Sequence, residues 1–82
     1  MERKEIINQL NGIFADVLDL DEVNLTGATT ADDIEEWDSL SHIQLIVAVE
    51  DAFDIKFSSL EIMKWANVGQ MVDSIERLTS QA

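Results

Sequence analysis

The lone histidine of the chain, His42, follows Ser39 by three residues, a spacing that brings both side chains to one face of a helix. A serine hydroxyl near an imidazole is the start of nucleophilic catalysis. An activated serine also needs its base oriented by a third group inside a water-shielded pocket. Nothing around the pair supplies that, so no catalytic residue is assigned and the chain is not expected to be an enzyme. There is no cysteine, which with a single histidine excludes thiolate and multi-histidine metal sites. Asp19, Asp21 and the acids at 32–38 lack the Asp-x-Asp-x-Asp-Gly loop and distal glutamate of a calcium hand. No metal site is expected.

The remaining candidate is Ser39 itself. It follows Asp38 directly, after a long polar stretch and before the breaker-free run LSHIQLIVAVEDAF. Asp38 is a good N-cap, able to accept a hydrogen bond from the amide of Ser41. Ser39 then falls in the first helical turn, where backbone amides point outward unpaired and the dipole is positive. A phosphodiester on Ser39 would sit in a field that favours an anion. Position alone favours the plainer reading, a serine that helps to begin a helix.

The elements that must position Ser39 read as helices. Ile6, Ile7, Leu10, Ile13, Phe14, Val17 and Leu18 form one apolar stripe, which predicts a first helix over 2–18, with Gly12 as its weak point. Residues 19–38 have no sustained period and form a long loop, anchored by Val23, Leu25 and Ile34. The second helix runs from Asp38 or Ser39 to about Phe53. One of its faces carries Ile46, Val49 and Phe53, and another carries Leu40, Ile43 and Val47 with Gln44, Glu50 and Asp51. A single core needs only one of these faces, so the second reads as a docking strip edged with acid, unless the helix is buried on nearly all sides. Ser58 and Glu61 fit a capping box opening a short third helix to about Trp65. Asn67 and Gln70 open a fourth, with Val68, Met71, Val72, Ile75 and Leu78 as its stripe. The sum is an all-α single domain over 1–82, a small four-helix bundle of three longer helices and one short one.

Charge bears on partners. Five basic residues face 17 acidic ones, a net −12, and residues 31–55 hold eight acids with no basic residue. Such a field excludes nucleic acid and attracts partners with basic patches. No apolar run reaches the ~20 residues of a membrane span and MERKEIINQL is too polar for a signal peptide, so the chain reads as cytoplasmic.

Residues 30–79 resemble the acyl carrier proteins. The resemblance rests on Asp38-Ser39-Leu40 at the start of the second helix and on Glu50-Asp51-Ala52-Phe53-Asp54-Ile55 at its end. Asn67-Val68-Gly69 is similar to the family's Thr-Val-Gly opening of the last helix. The resemblance implies a carrier on which a phosphopantetheinyl transferase places phosphopantetheine at Ser39, between Asp38 and Leu40. It also implies that the arm's thiol holds acyl groups as thioesters and presents them to acyl-transferring or acyl-modifying enzymes. The Trp37-Asp38-Ser39-Leu40 form looks like stand-alone carriers of specialised polyketide-, lipid- or polysaccharide-related pathways. A peptidyl or aminoacyl carrier uses the same arm, and an unmodified acidic interaction module is the rival from another class.

Two further expectations follow. Partners dock along Leu40, Ile43, Gln44, Val47, Glu50 and Asp51, with Glu50 among the exposed residues, and the carrier is a monomer. The family's acyl-sequestering positions correspond here to Ile46, Val49, Phe57, Ile62, Trp65 and Met71. Their bulk implies a cargo that is short or polar, or that stays outside the bundle. Trp37 reads as a loop anchor and His42 as a partly buried packing residue.

Overall fold

The computed structural model describes residues 2–80, and among them there are helices and no strand. α1 spans Arg3–Val17, α2 Ser39–Phe53, α3 Ser59–Lys64 and α4 Val68–Thr79. The bundle expected from periodicity is present, with boundaries within a residue or so. The long connection between α1 and α2 holds one element that periodicity did not signal, a 3-10 turn at Ala31–Asp33. No helix among the described residues is long and apolar enough to cross a membrane.

The core is built by α1, α2 and α4. Ile6, Leu10 and Phe14 of α1 meet Leu45 and Val49 of α2 and Val68, Met71, Val72 and Ile75 of α4, all buried. The long loop adds Leu25 and Trp37 to this core and rests Val23 and Ile34 against it. No residue of α3 is buried. That helix is held instead from its two ends, by Phe57 before it and Trp65 after it, both partly buried against the core.

Side chains and backbone tie the loop down at three places. Asn11 Oδ1 on α1 accepts from the Leu25 amide at 2.7 Å. The amides of Val68 and Gly69, in the unpaired first turn of α4, donate to the carbonyls of Thr29 (2.8 Å) and Gly27 (2.9 Å). Asn67 caps α4 by accepting from the Gln70 amide at 3.0 Å. The cap of α3 is simpler than the expected box. Ser58 accepts from the Glu61 amide at 3.2 Å, but the Glu61 carboxylate pairs with Arg77 on α4. Gln70 likewise reaches one residue further back than a box requires, to the Ala66 amide.

Candidate functional site

Asp38 is the N-cap of α2 and is locked reciprocally to Ser41. Its carboxylate accepts from the Ser41 amide at 2.9 Å, and its own amide donates to Ser41 Oγ at 2.8 Å. Ser41 Oγ also donates back to the loop carbonyl of Glu36 at 2.9 Å. Ser41 is therefore a buried fastener between loop and helix, a role its place between Leu40 and His42 did not signal. The amide and hydroxyl of Ser41 hold the Asp38 carboxyl below its usual range, so it stays ionised.

These bonds use two of the four orphan amides at the head of α2, those of Asp38 and Ser41, while His42 N–H makes the first intrahelical bond, to the Asp38 carbonyl at 2.9 Å. The amides of Ser39 and Leu40 have no intrahelical acceptor. Ser39 itself is exposed, and no acidic residue occupies the first turn beside it.

The floor next to Ser39 is aromatic. Trp37 is buried edge-on against Phe14, with ring centroids 4.9 Å apart, so it anchors the loop to α1. Its indole Nε1–H donates to His42 Nδ1 at 3.0 Å, and the two rings stack at 5.9 Å. Accepting at Nδ1 places the neutral imidazole's proton on Nε2. Burial lowers the His42 pKa, which favours that neutral form. His42 thus packs and orients rather than activates.

A cleft of about 440 Å³ opens between these groups and the start of α4. Trp37, Asp38, Ser39 and His42 form one side, and Trp65 and Met71 the other. Ala31, Ala66 and Asn67 complete it, none marked as a cleft residue in the sequence because small and capping residues carry no cleft signal. Of the six residues matched to acyl-sequestering positions, only Trp65 and Met71 reach this cleft. Val49 is buried in the core, while Ile46, Phe57 and Ile62 are partly buried elsewhere. Trp65 faces neither solvent alone nor a void alone. It stands edge-on to Phe57 at 4.7 Å and donates to Ser74 Oγ at 2.9 Å.

The outer face of α2 is open. Leu40, Ile43 and Val47 are 69%, 62% and 53% exposed, and Gln44 and Asp51 are exposed beside them. Glu50 departs from the expectation of exposure. Its side chain is only 13% exposed, because Phe57 turns back over it and donates its amide to Glu50 Oε2 at 2.8 Å. Among the described residues no cluster of His, Asp or Glu side chains is arranged to hold a metal ion.

A four-helix bundle that exposes Ser39 at the head of its second helix, beside a small cleft, is the geometry that the resemblance implies. Comparison with known proteins agrees. Residues 8–75 match the family described as phosphopantetheine attachment site. The acyl carrier protein of Rubrobacter xylanophilus is 33% identical over 75 residues, covering 92% of this chain and 93% of that one. That of Coprothermobacter proteolyticus is 30% identical over 76 residues, covering 93% of each. The solution structure of a holo acyl carrier protein from Geobacter metallireducens superposes with a TM-score of 0.86 at 41% identity, covering 92% of this chain and 86% of that one. The chain belongs to the acyl carrier protein family, and its prosthetic group is covalently attached phosphopantetheine.

Proposed function

We propose that Ser39 is the attachment residue and that the chain is a single carrier domain over 1–82. Its surroundings fit the group. The hydroxyl is exposed, the Ser39 amide has no intrahelical acceptor and can meet a phosphodiester, and the Asp38 carboxylate is held mainly by Ser41, with a lesser part from the Leu40 amide. The single observation that carries the assignment is this free first-turn hydroxyl at the mouth of the cleft. On transfer, Ser39 Oγ gives up its proton and gains one bond to the phosphorus that bears the pantetheine, while the pyrophosphate link of coenzyme A breaks and its adenosine bisphosphate half leaves. When attached, the arm supplies the thiol that a chain without cysteine lacks, and it holds an acyl group as a thioester.

The chain's own residues do the rest. Leu40, Ile43, Gln44, Val47 and Asp51 present an apolar strip in an acidic field to enzymes with basic patches, the transferase first among them. Glu50 holds the strip's far end in shape through Phe57. The cleft shelters the first atoms of the cargo. Tethering raises the cargo's effective concentration at a docked partner. On this reading the chain is a monomeric cytoplasmic carrier, and its Trp37-Asp38-Ser39-Leu40 form suits a specialised polyketide-, lipid- or polysaccharide-related pathway.

Intact-protein mass spectrometry tests the assignment. With coenzyme A and a broad-specificity transferase, the chain should gain the mass of one phosphopantetheine. Ser39→Ala should gain none while keeping its helical circular dichroism. A full gain in the alanine variant would move the site elsewhere.

A further inference from the structure

Trp65 borders two voids at once. On one side is the cleft beside Ser39. On the other is a groove between α3 and α4, also of about 440 Å³, lined by Leu60, Lys64, Gln70, Ser74 and Arg77. Among the described residues no other lines both. The indole is fixed as a wall. Phe57 packs against its edge or face at right angles, and Ser74 Oγ holds its N–H. The helix that precedes it, α3, has no buried residue of its own and leans on α4 through the Glu61–Arg77 ion pair. The wall is therefore held by two side-chain links and one ring contact, not by a packed helix.

We propose that Trp65 is the partition that sets the length of cargo this carrier shelters, with Ser74 as its latch. The inference rests on the carrier reading above. With the indole in place, an acyl chain entering beside Ser39 stops at Trp65 and Met71. Beyond it the groove carries Leu60 and the stems of Lys64 and Arg77 on its walls, so an apolar chain would find surface to cover there once the indole is removed. The proposal assigns a short-chain cargo to the protein as it stands. It names one residue whose size, rather than the volume of the core, imposes the limit.

The experiment loads the chain with butanoyl, octanoyl and dodecanoyl groups, using the matching acyl-coenzyme A and a broad-specificity transferase. Amide and indole cross-peaks are then followed by NMR. In the wild type, the amides of Ala31 and His42 should shift with butanoyl and change no further with the longer chains. The amides of Leu60 and Gln70, which line only the groove, should stay in place throughout. In Trp65→Ala, octanoyl and dodecanoyl should shift Leu60 and Gln70 as well. Trp65→Phe keeps a ring against Phe57 and serves if the alanine variant fails to fold. In Ser74→Ala, the indole remains but its latch is gone, so dodecanoyl should move the Trp65 indole peak. Shifts of Leu60 and Gln70 in wild-type dodecanoyl protein overturn the partition, as does an unchanged pattern in both Trp65 variants. A chain that gains no acyl mass at all overturns the carrier reading, and this inference with it.

Discussion

The three glycines allow one substitution to be read with three different outcomes. Gly12 lies exposed inside α1, and a methyl group there meets nothing within 4 Å. Gly12→Ala should gain the helix-propensity difference of about 1 kcal/mol. At Gly27 a methyl would touch only the Gly69 Cα at 3.8 Å, an ordinary contact, and the backbone φ is not positive. Gly27→Ala should be neutral or gain up to ~1 kcal/mol through the unfolded chain. At Gly69 the methyl would lie 2.8 Å from the Gly27 carbonyl oxygen and 3.3 Å from its Cα. Both are backbone atoms, so loop and helix must separate. Separation strains the bonds from Gly69 to Gly27 and from Val68 to Thr29. At about 0.5–1.5 kcal/mol for each bond, and ~1–3 kcal/mol for overpacking, the cost exceeds the propensity gain. Gly69→Ala should lose roughly 1–5 kcal/mol net, at about 4–8 °C of melting temperature per kcal/mol. Urea denaturation of the three variants gives the order directly, with a common slope confirming that the denatured state is unchanged. A Gly69→Ala variant as stable as Gly12→Ala would refute the close approach of loop and α4.

Stability should fall as pH drops below 6.5, the ordinary histidine value. Burial lowers the His42 pKa in the folded state, so the unfolded chain takes up the proton first, and stability complete above 6.5 is lost as pH falls through the folded value. His42→Gln should flatten that part of a pH-dependent melt. Below 3.8 the Asp38 carboxyl, held down by Ser41, adds a second decline that Ser41→Ala should weaken. Trp37→Phe keeps the ring on Phe14 but leaves His42 Nδ1 without its donor, at a cost of about 1–3 kcal/mol by chemical denaturation; an unaltered midpoint would show the bond to be idle. Leu40→Ser with Asp51→Lys should lower the transferase kcat/KM and its salt dependence while the melting temperature holds, since exposed charges are screened beyond ~10 Å at 0.1 M salt. An equal loss of stability would place these residues in the core instead.

Much of this was legible because it is local. The Asp38, Ser58 and Asn67 caps each depend on residues three apart, and each accepts its amide as expected, although Glu61 and Gln70 do not close the boxes that the sequence suggests. The apolar stripes of α1 and α4 identified their buried residues because a single face suffices there. The site's finer features depend on distant chain. Glu50 lies at the right helical angle to be exposed, and only the return of Phe57 across it makes it internal. The Trp37–His42 bond requires the loop to fold back onto α2, and the need for Gly69 appears only when Gly27 arrives from forty-two residues earlier. The cleft itself is a gap between Trp37 and Trp65, which no periodicity connects.

The arrangement of α2 explains how so small a chain can leave large apolar residues exposed and still fold. Its inner face contributes Leu45 and Val49 to a core that α1 and α4 complete. Its outer face leaves Leu40, Ile43 and Val47 in water, each forgoing roughly 1.5–3 kcal/mol relative to full burial. A chain of this length buries only ~60% of its potential surface, so that forgone stabilisation is a large share of a domain's usual ~5–15 kcal/mol. The exposed strip contributes nothing to the fold that polar residues would not. On the proposed reading its apolar area is realised when a partner covers it, and the eight acids of residues 31–55 bring that partner in. Stability and docking thus reside on opposite faces of one helix, with Ser39 at its head, where a docked enzyme meets both the hydroxyl and the cleft.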